Sequence, residues 1–477
     1  MSRAHWRVDV CVIGAGSGGL SVASAAAQLG LKVVLFEKGE MGGDCLNYGC
    51  VPSKALIAAA EAAHAVRSAE RLGIHAGEPS IDFEAVMAHV RRAMAAIAPH
   101  DSQARFEGLG VTVVREPAHF VDARTVESES AIVSARKFVV ATGSRPAVPP
   151  IPGLQDVRFL TNETIFDLTE RPSRLLVIGG GPIGVELGQA FRRLGSQVAI
   201  VQTGELLSRE DRDMAGPVID QLASDGVEVL RSAKVRRLEP SGLGGVTAKV
   251  LQGDAEIEIG ASHLLVATGR APNVEALNLG AAGVALDKSG IITDRRLRST
   301  NRRVFAIGDV AGRGAFTHLA GAHASLFVRN ALFAQPVNAA ALIVPRVTYT
   351  DPELAIAGMT EGEAVVAHGK AFRVVRCSFD DNDRAQTEGD VRGLGKLITD
   401  RRGGIVGVAL VGRGAGELIQ PWVLAMAAKL RLSVMASMIA PYPTRGEINK
   451  RLAGQWYAPA LFSARTSRLV SLLKHFT

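Results

Sequence analysis

One two-part module occurs twice in this chain, and few folds can accommodate it. The first copy opens with VDVCVIGAGSGGL, runs through KVVLFEK and later reaches RKFVVATGSRPAVP. The second opens with RLLVIGGGPIGVEL, runs through QVAIVQT and later reaches ASHLLVATGRAPNV. Each opening reads as an apolar strand, a glycine turn, an apolar helix and a second apolar strand, which is a βαβ unit. The expected fold class is α/β, with two Rossmann-like dinucleotide-binding domains. An alanine-rich stretch from Ser53 to about Arg105 predicts antiparallel helices inserted into the first copy. From Pro345 the runs PRVTYTDPELAIAG and GLGKLITDRRGGIVGVALVG read as strands and hairpins. Helices from about Gly416 to Lys429 and from Glu447 to Gln455 would complete a closing α+β domain. The resulting boundaries are 1–150, 151–273, 274–344 as a return to the first domain, and 345–477.

Composition removes several classes of function. With 477 residues, 47% of them hydrophobic, the chain has material for real cores and is not disordered. The net charge of +7 is scattered over short groups such as Arg295-Arg296 and Arg401-Arg402, which suit a solvated surface better than a nucleic-acid arm. The apolar stretch from Val8 to Leu20 holds four glycines and Asp9 and is too short to span a bilayer. A cytoplasmic protein with no nucleic-acid partner and no membrane contact is expected. The terminal run SARTSRLVSLLKHFT predicts a short basic amphipathic helix packed on the surface.

Gly14, Gly16 and Gly19 lie in GAGSGG, with Glu37 ending the next strand. Such glycines permit a tight turn and a close diphosphate approach, and the acid would bind ribose hydroxyls. Gly179, Gly181 and Gly184 repeat the arrangement, so two dinucleotide sites are expected. In the second copy the acid position is taken by Gln202 or Thr203. That change lessens repulsion of a 2′-phosphate, and Arg209 is near enough in sequence to attract one, which leans the choice toward NADPH over NADH. An ordinary surface charge is the other reading of Arg209.

Cys45 and Cys50 stand in GGDCLNYGCVPSK. A regular helix would separate them by about 7.5 Å along its axis, beyond the roughly 4.4–6.8 Å span of a disulfide. A distorted turn is therefore needed, and Gly42, Gly43 and Gly49 permit one. A helix starting near Cys50 would favour its thiolate. No second Cys/His pair accompanies these two, so no metal site is expected, and two inert core cysteines are the alternative. Cys11 and Cys377 read as packing residues.

This motif, together with the doubled fingerprint over essentially the whole chain, resembles the class I pyridine nucleotide-disulfide oxidoreductases, the group that includes dihydrolipoamide dehydrogenase, glutathione reductase and mercuric reductase. The resemblance implies FAD in the first site, NADPH or NADH in the second, and a homodimer held by the C-terminal domain. It implies that Cys50 faces the flavin, that Cys45 meets the acceptor, and that the two form a redox-active disulfide. Lys54 and Glu186 would pair near flavin N5, and Asp309 of Gly308-Asp309 would hold the ribityl chain. Lys38, Gly43, Thr142, Gly143, Gly269 and Ala320 complete the implied cofactor contacts.

One position departs from the pattern. Disulfide-reducing members carry His-Pro-Thr-x-x-Glu near the C-terminus, whereas this chain has Tyr442-Pro443-Thr444-Arg445-Gly446-Glu447. Tyrosine, with a pKa of about 10, is only about 0.1% ionised at pH 7, whereas histidine near about 6.5 exchanges protons readily. Tyr442 is expected either to donate a hydrogen bond at the interchange site or to pack against the partner, with Glu447 beside it. Mercuric reductases also lack that histidine, but this sequence has no cysteine after Cys377 and opens at the first fingerprint. The expected function is a mercuric-reductase-like NAD(P)H oxidoreductase acting on an unidentified small-molecule or thiol/disulfide acceptor. The alternatives are an NAD-linked dihydrolipoamide dehydrogenase and a low-turnover flavin redox sensor or partner-binding subunit.

Overall fold

The computed structural model describes residues 3–474. They form two compact units. One comprises the segment ending at Ala62 with Ser80–Thr203 and Ser232–Leu342, the other Ala63–Pro79, Gly204–Arg231 and the segment from Ile343 onward.

The first unit contains both copies of the module. Its main sheet has seven strands, centred on β1 (Ala4–Ile13), which runs parallel to β2 (Val33–Phe36) on one side and to Ala131–Val140 on the other. Val111–Val114 extends it beyond β2, and Val304–Ala306 joins Ala131–Val140, both in parallel. The inner part of the sheet is covered on both faces, which is why VCVI and VVLF are continuous apolar runs and do not alternate. The helix α1 (Ser17–Gln28) follows β1 and packs through Gly18, Gly19, Ala23 and Ala26, small enough for close approach.

After β2 the chain forms α2 (Gly43–Asn47), α3 (Cys50–Ser68) and α4 (Phe83–Ile97), the helical insertion expected from composition. The second module repeats the plan. Arg174–Ile178 lies in parallel between Gln197–Val201 and His263–Val266, with the helix Pro182–Arg193 after its glycine turn. An antiparallel sheet of Ala233–Ser241, Gly245–Gln252 and Ala255–Ala261 accompanies it.

The second unit is built on a five-stranded antiparallel sheet, in the order Arg346–Thr348, Glu353–Gly358, Ile405–Gly412, Leu394–Asp400, Phe372–Ser378. The helix expected over Gly416 to Lys429 is two pieces, Ala415–Leu418 and Gln420–Ala427. Pro421 opens the second piece, since its ring suits the start of a helix and not its continuation. Trp422 is fully buried, with its indole N–H donating to Asn449 Oδ1 at 2.8 Å. Lys396 is buried too, and its ammonium sits among Asp211 at 3.1 Å, Glu361 at 3.0 Å and Asp213. Three carboxylates around one buried ammonium offset a desolvation that an unpaired lysine could not survive. They are grouped closely enough to hold a cation, and Lys396 already supplies one.

The terminal helix spans Ala464–Leu473; residues 475–477 of the predicted amphipathic run lie outside the described residues. No helix among the described residues is long and apolar enough to cross a membrane.

Candidate active site

The first fingerprint is shaped by backbone contact. A Cβ on Gly14, at φ 106°, would overlap the Ala141 carbonyl, and one on Gly19 would overlap the Gly14 carbonyl, whereas the space in front of Gly16 is open. α1 has Gly16 as N-cap, no side-chain cap and no acid in its first turn. Unblocked N–H groups and open space suit an anionic diphosphate. Glu37 Oε2 accepts the Ala15 N–H at 2.6 Å, while Oε1 accepts the Gly39 N–H at 2.7 Å, which fixes the acid beside the turn. Lys38 is exposed.

The same turn places the cysteines. Gly42 donates its N–H to Ala15 O at 3.0 Å, and a Cβ on Gly43 would come within 2.7 Å of Gly16 Cα. Both glycines have positive φ, 89° and 64°, so the chain can lie against the fingerprint and then enter α2. α2 carries Cys45 and ends at Asn47, and α3 begins at Cys50. The distorted turn that the spacing demanded is this break, spanned by Tyr48 and Gly49.

Cys45 and Cys50 are free thiols joined by a hydrogen bond, and Cys50 Sγ lies 3.5 Å from Thr317 Oγ1. Their acidities are driven apart. The hydrogen bond from Cys45, with help from Thr317 and the charge of Lys54, lowers Cys50 to about 6, against opposing contributions from burial and Asp44. The same hydrogen bond, together with burial, pushes Cys45 well above the ordinary thiol range. At neutral pH the pair therefore holds one proton, on Cys45. Cys11 and Cys377 are buried, and burial raises both thiols, Cys377 to about 11.

One turn beyond Cys50, Lys54 Nζ donates to Glu186 Oε2 at 2.8 Å. Glu186 is buried in the helix of the second module, so the expected ion pair joins the two copies of the repeat. Gly308 turns at φ 69° ahead of Asp309, and Ala320 packs where a larger side chain would meet that turn. Burial pushes the Asp309 carboxyl up, against the pull of Ser144 Oγ, which donates to it at 2.5 Å, and of Arg270. Thr142 Oγ1 donates to Asn273 O at 2.7 Å, and Gly143 and Gly269 take positive φ, 66° and 140°.

The second fingerprint matches the first closely. A Cβ on Gly179 would overlap Ala267 O, one on Gly184 would overlap Gly179 O, and Gly181 again faces open space at an uncapped helix start. Gln202 Oε1 accepts the Gly180 N–H at 2.8 Å, the bond that Glu37 makes in the first copy. Of the two candidates, Gln202 is thus the counterpart of the acid. Arg209 is exposed, in the segment Gly204–Arg231 of the other unit.

Tyr442 is 70% exposed, and its hydroxyl donates to Asp383 Oδ2 at 2.9 Å. That carboxylate raises the phenol above its ordinary value. Glu447 begins the helix Glu447–Leu461, and its Oε2 accepts the Thr444 N–H at 3.3 Å. Ser144, Arg270 and Asp383 escaped the sequence reading. The first two lie in the quoted runs RKFVVATGSRPAVP and ASHLLVATGRAPNV, so the signal was on hand; nothing near Asp383 marks it.

A pyridine nucleotide-disulphide oxidoreductase family model matches residues 8–324, and the dimerisation domain of the same family matches residues 344–453. A mercuric reductase of Streptomyces lividans is 35% identical over 96% of this chain and 98% of its own length. A dihydrolipoyl dehydrogenase of Thermus scotoductus is 36% identical over 92% of this chain and 95% of its own length. Among solved structures, the HOCl-induced flavoprotein disulfide reductase RclA from Escherichia coli superposes with TM-score 0.83 at 27% identity, covering 94% of this chain and 99% of that one. With both family models matched in order and relatives aligned over nearly their whole length, the chain belongs to the pyridine nucleotide-disulphide oxidoreductases, enzymes that use FAD and NAD(P)H.

Proposed function

We propose that this chain is a homodimeric, mercuric-reductase-like oxidoreductase that passes electrons from NADPH through a Cys45/Cys50 redox centre to an acceptor reduced without a histidine acid-base. In this reading residues 1–150 and 274–344 form the FAD domain, 151–273 the NAD(P) domain and 345–477 the dimerisation domain. The observation that carries it is the thiol pair at the break between α2 and α3 beside the first fingerprint, with the Lys54–Glu186 ion pair one turn beyond Cys50.

Bound FAD supplies hydride uptake from NAD(P)H and release of an electron pair. The protein's own residues do the rest. Reduction of a Cys45–Cys50 disulfide by two electrons leaves Cys50 as thiolate and one proton on Cys45. The Lys54–Glu186 pair fixes positive charge beside Cys50, where negative charge accumulates. Cys45 then meets the acceptor, as the nucleophile must be the thiol not engaged with the flavin. Asp383 holds Tyr442 neutral, so Tyr442 is a fixed polar group and not a base.

Two outcomes test the finer assignments. Tyr442→His is expected to raise lipoamide-linked turnover by about tenfold or more, the low end of what a general acid-base contributes. An unchanged rate would show that the histidine is not what separates this chain from dihydrolipoamide dehydrogenases. Gln202→Glu should move the ratio of kcat/KM for NADPH over NADH toward NADH by about tenfold, through repulsion of the 2′-phosphate. Steady-state assays with both nucleotides read it directly, and an unaltered ratio would take the nucleotide choice away from Gln202.

A further inference from the structure

We propose that the terminal helix Ala464–Leu473, with Phe462 ahead of it, is an interfacial anchor that lays the enzyme against a lipid bilayer bearing anionic headgroups. The inference is independent of the redox centre. It reverses two expectations from the sequence, that this run packs on the protein's own surface and that the chain has no membrane contact.

No residue of the helix is buried. Its apolar side chains face solvent: Leu469 is 54% exposed, Val470 58%, Leu472 63% and Leu473 51%, and Phe462 just before it is 82% exposed. Single exposed apolar residues are ordinary, whereas a contiguous group of them marks a surface that meets a partner. The helix is nonetheless held in place. Ser463 caps it by accepting the Thr466 N–H at 3.3 Å, and Thr466 Oγ1 donates to Ala460 O at 2.9 Å, which ties the first turn to the end of the helix Glu447–Leu461. A helix already formed and capped meets its partner at little ordering cost.

Charge selects that partner. At about 100° per residue, Leu469, Leu473 and Val470 share an arc of about 100°, with Arg465 about 40° beyond one edge and Lys474 about 40° beyond the other. Arg468 follows on the Arg465 side. From Ile448 to Lys474 the sequence has no aspartate or glutamate, and its cations are Lys450, Arg451, Arg465, Arg468 and Lys474. Arg451 is paired with Asp381 at 3.1 Å, whereas Arg465, Arg468 and Lys474 stand exposed around the apolar arc. Long basic side chains at the border of such an arc reach headgroup phosphates while the arc enters the acyl boundary. The helix is about 15 Å long, half of a hydrocarbon core of about 30 Å, so it lies in the interface and does not span. A second copy of the chain fits less well. A face this short cannot by itself supply the roughly 800 Å² per partner of a stable protein interface, and pairing it with itself would set its cations against one another.

The test is co-sedimentation of the full-length holoenzyme with sucrose-loaded vesicles, either of phosphatidylcholine and phosphatidylglycerol in equal parts or of phosphatidylcholine alone. Wild type is expected to bind the mixed vesicles at about 0.1 M salt, less at about 1 M where charge is screened, and phosphatidylcholine alone about tenfold or more weakly. The triple variant Arg465→Gln, Arg468→Gln, Lys474→Gln should weaken binding to mixed vesicles about a hundredfold, at roughly fivefold for each cation near an anionic surface. The triple variant Phe462→Ser, Leu469→Ser, Val470→Ser keeps every charge and should weaken it about tenfold or more through lost apolar burial. A basic protein that merely adheres to an anionic surface would keep its binding in this second variant. Both variants should oxidise NADPH in solution at the wild-type rate, which shows that they are folded. Failure of wild type to sediment with mixed vesicles, equal binding to the two lipids, or full binding by the serine variant overturns the proposal. A fall in particle mass by light scattering in the serine variant would assign the face to a contact between copies of the chain and overturn it as well.

Discussion

Replacing Cys50 with serine is expected to abolish long-wavelength charge-transfer absorbance on anaerobic NADPH titration and to lower acceptor turnover by about 10³-fold or more. A serine hydroxyl does not ionise near neutrality and cannot form a disulfide with Cys45, so both roles of the sulfur vanish together. Cys45→Ser should behave differently. It removes the acceptor-facing thiol but keeps Cys50, so turnover falls while a charge-transfer band survives. The two thiols also separate by pH. Cys50 is lowered to about 6, so in the reduced wild-type enzyme the band should be full well above that pH and fade as the pH falls through it. In Cys45→Ala, which has no side-chain donor, the midpoint should rise, because the hydrogen bond from Cys45 is the largest cause of the low value. A band that persists in Cys50→Ser would reverse the assignment of the two sulfurs.

The second large effect concerns Lys54. Its ammonium is held 2.8 Å from Glu186, in a pair whose acid is buried and whose base is about one-third exposed. Lys54→Met is expected to slow flavin reduction by NADPH about 10²- to 10³-fold, the cost of losing one fixed charge at a site of developing negative charge. Stopped-flow loss of flavin absorbance measures that step apart from acceptor reduction. Glu186→Gln should cost less, because it leaves the lysine charge in place and removes only its anchor. Equal rates in wild type and Lys54→Met would show that the pair is structural.

Much of this site was legible because its demands are local. Gly14, Gly19, Gly179 and Gly184 stand where a Cβ would strike backbone, so residue type alone reveals the geometry. The spacing of Cys45 and Cys50 required a broken helix, and the break is there. The Lys54–Glu186 pair, by contrast, joins residues far apart in sequence, and only the resemblance suggested it. Arg270 and Asp383 were not seen because their contacts are distant in sequence, Arg270 to Ser144 and Asp44 and Asp383 to Tyr442, and charged residues at such positions read as ordinary surface.

The buried ammonium of Lys396 bears on how relatives of this chain can be recombined. Its three anions come from Asp211 and Asp213, more than a hundred positions upstream, and from Glu361 on the C-terminal side. A graft that exchanges everything after Pro345 for the matching part of another family member carries the anion-binding lysine away from two of its three counter-charges. The receiving chain would then have to supply acids at those upstream positions or leave an unneutralised amine in the interior. Seams for chimeras that trade acceptor specificity should therefore travel with residues 204–231, so that cation and anions are inherited together.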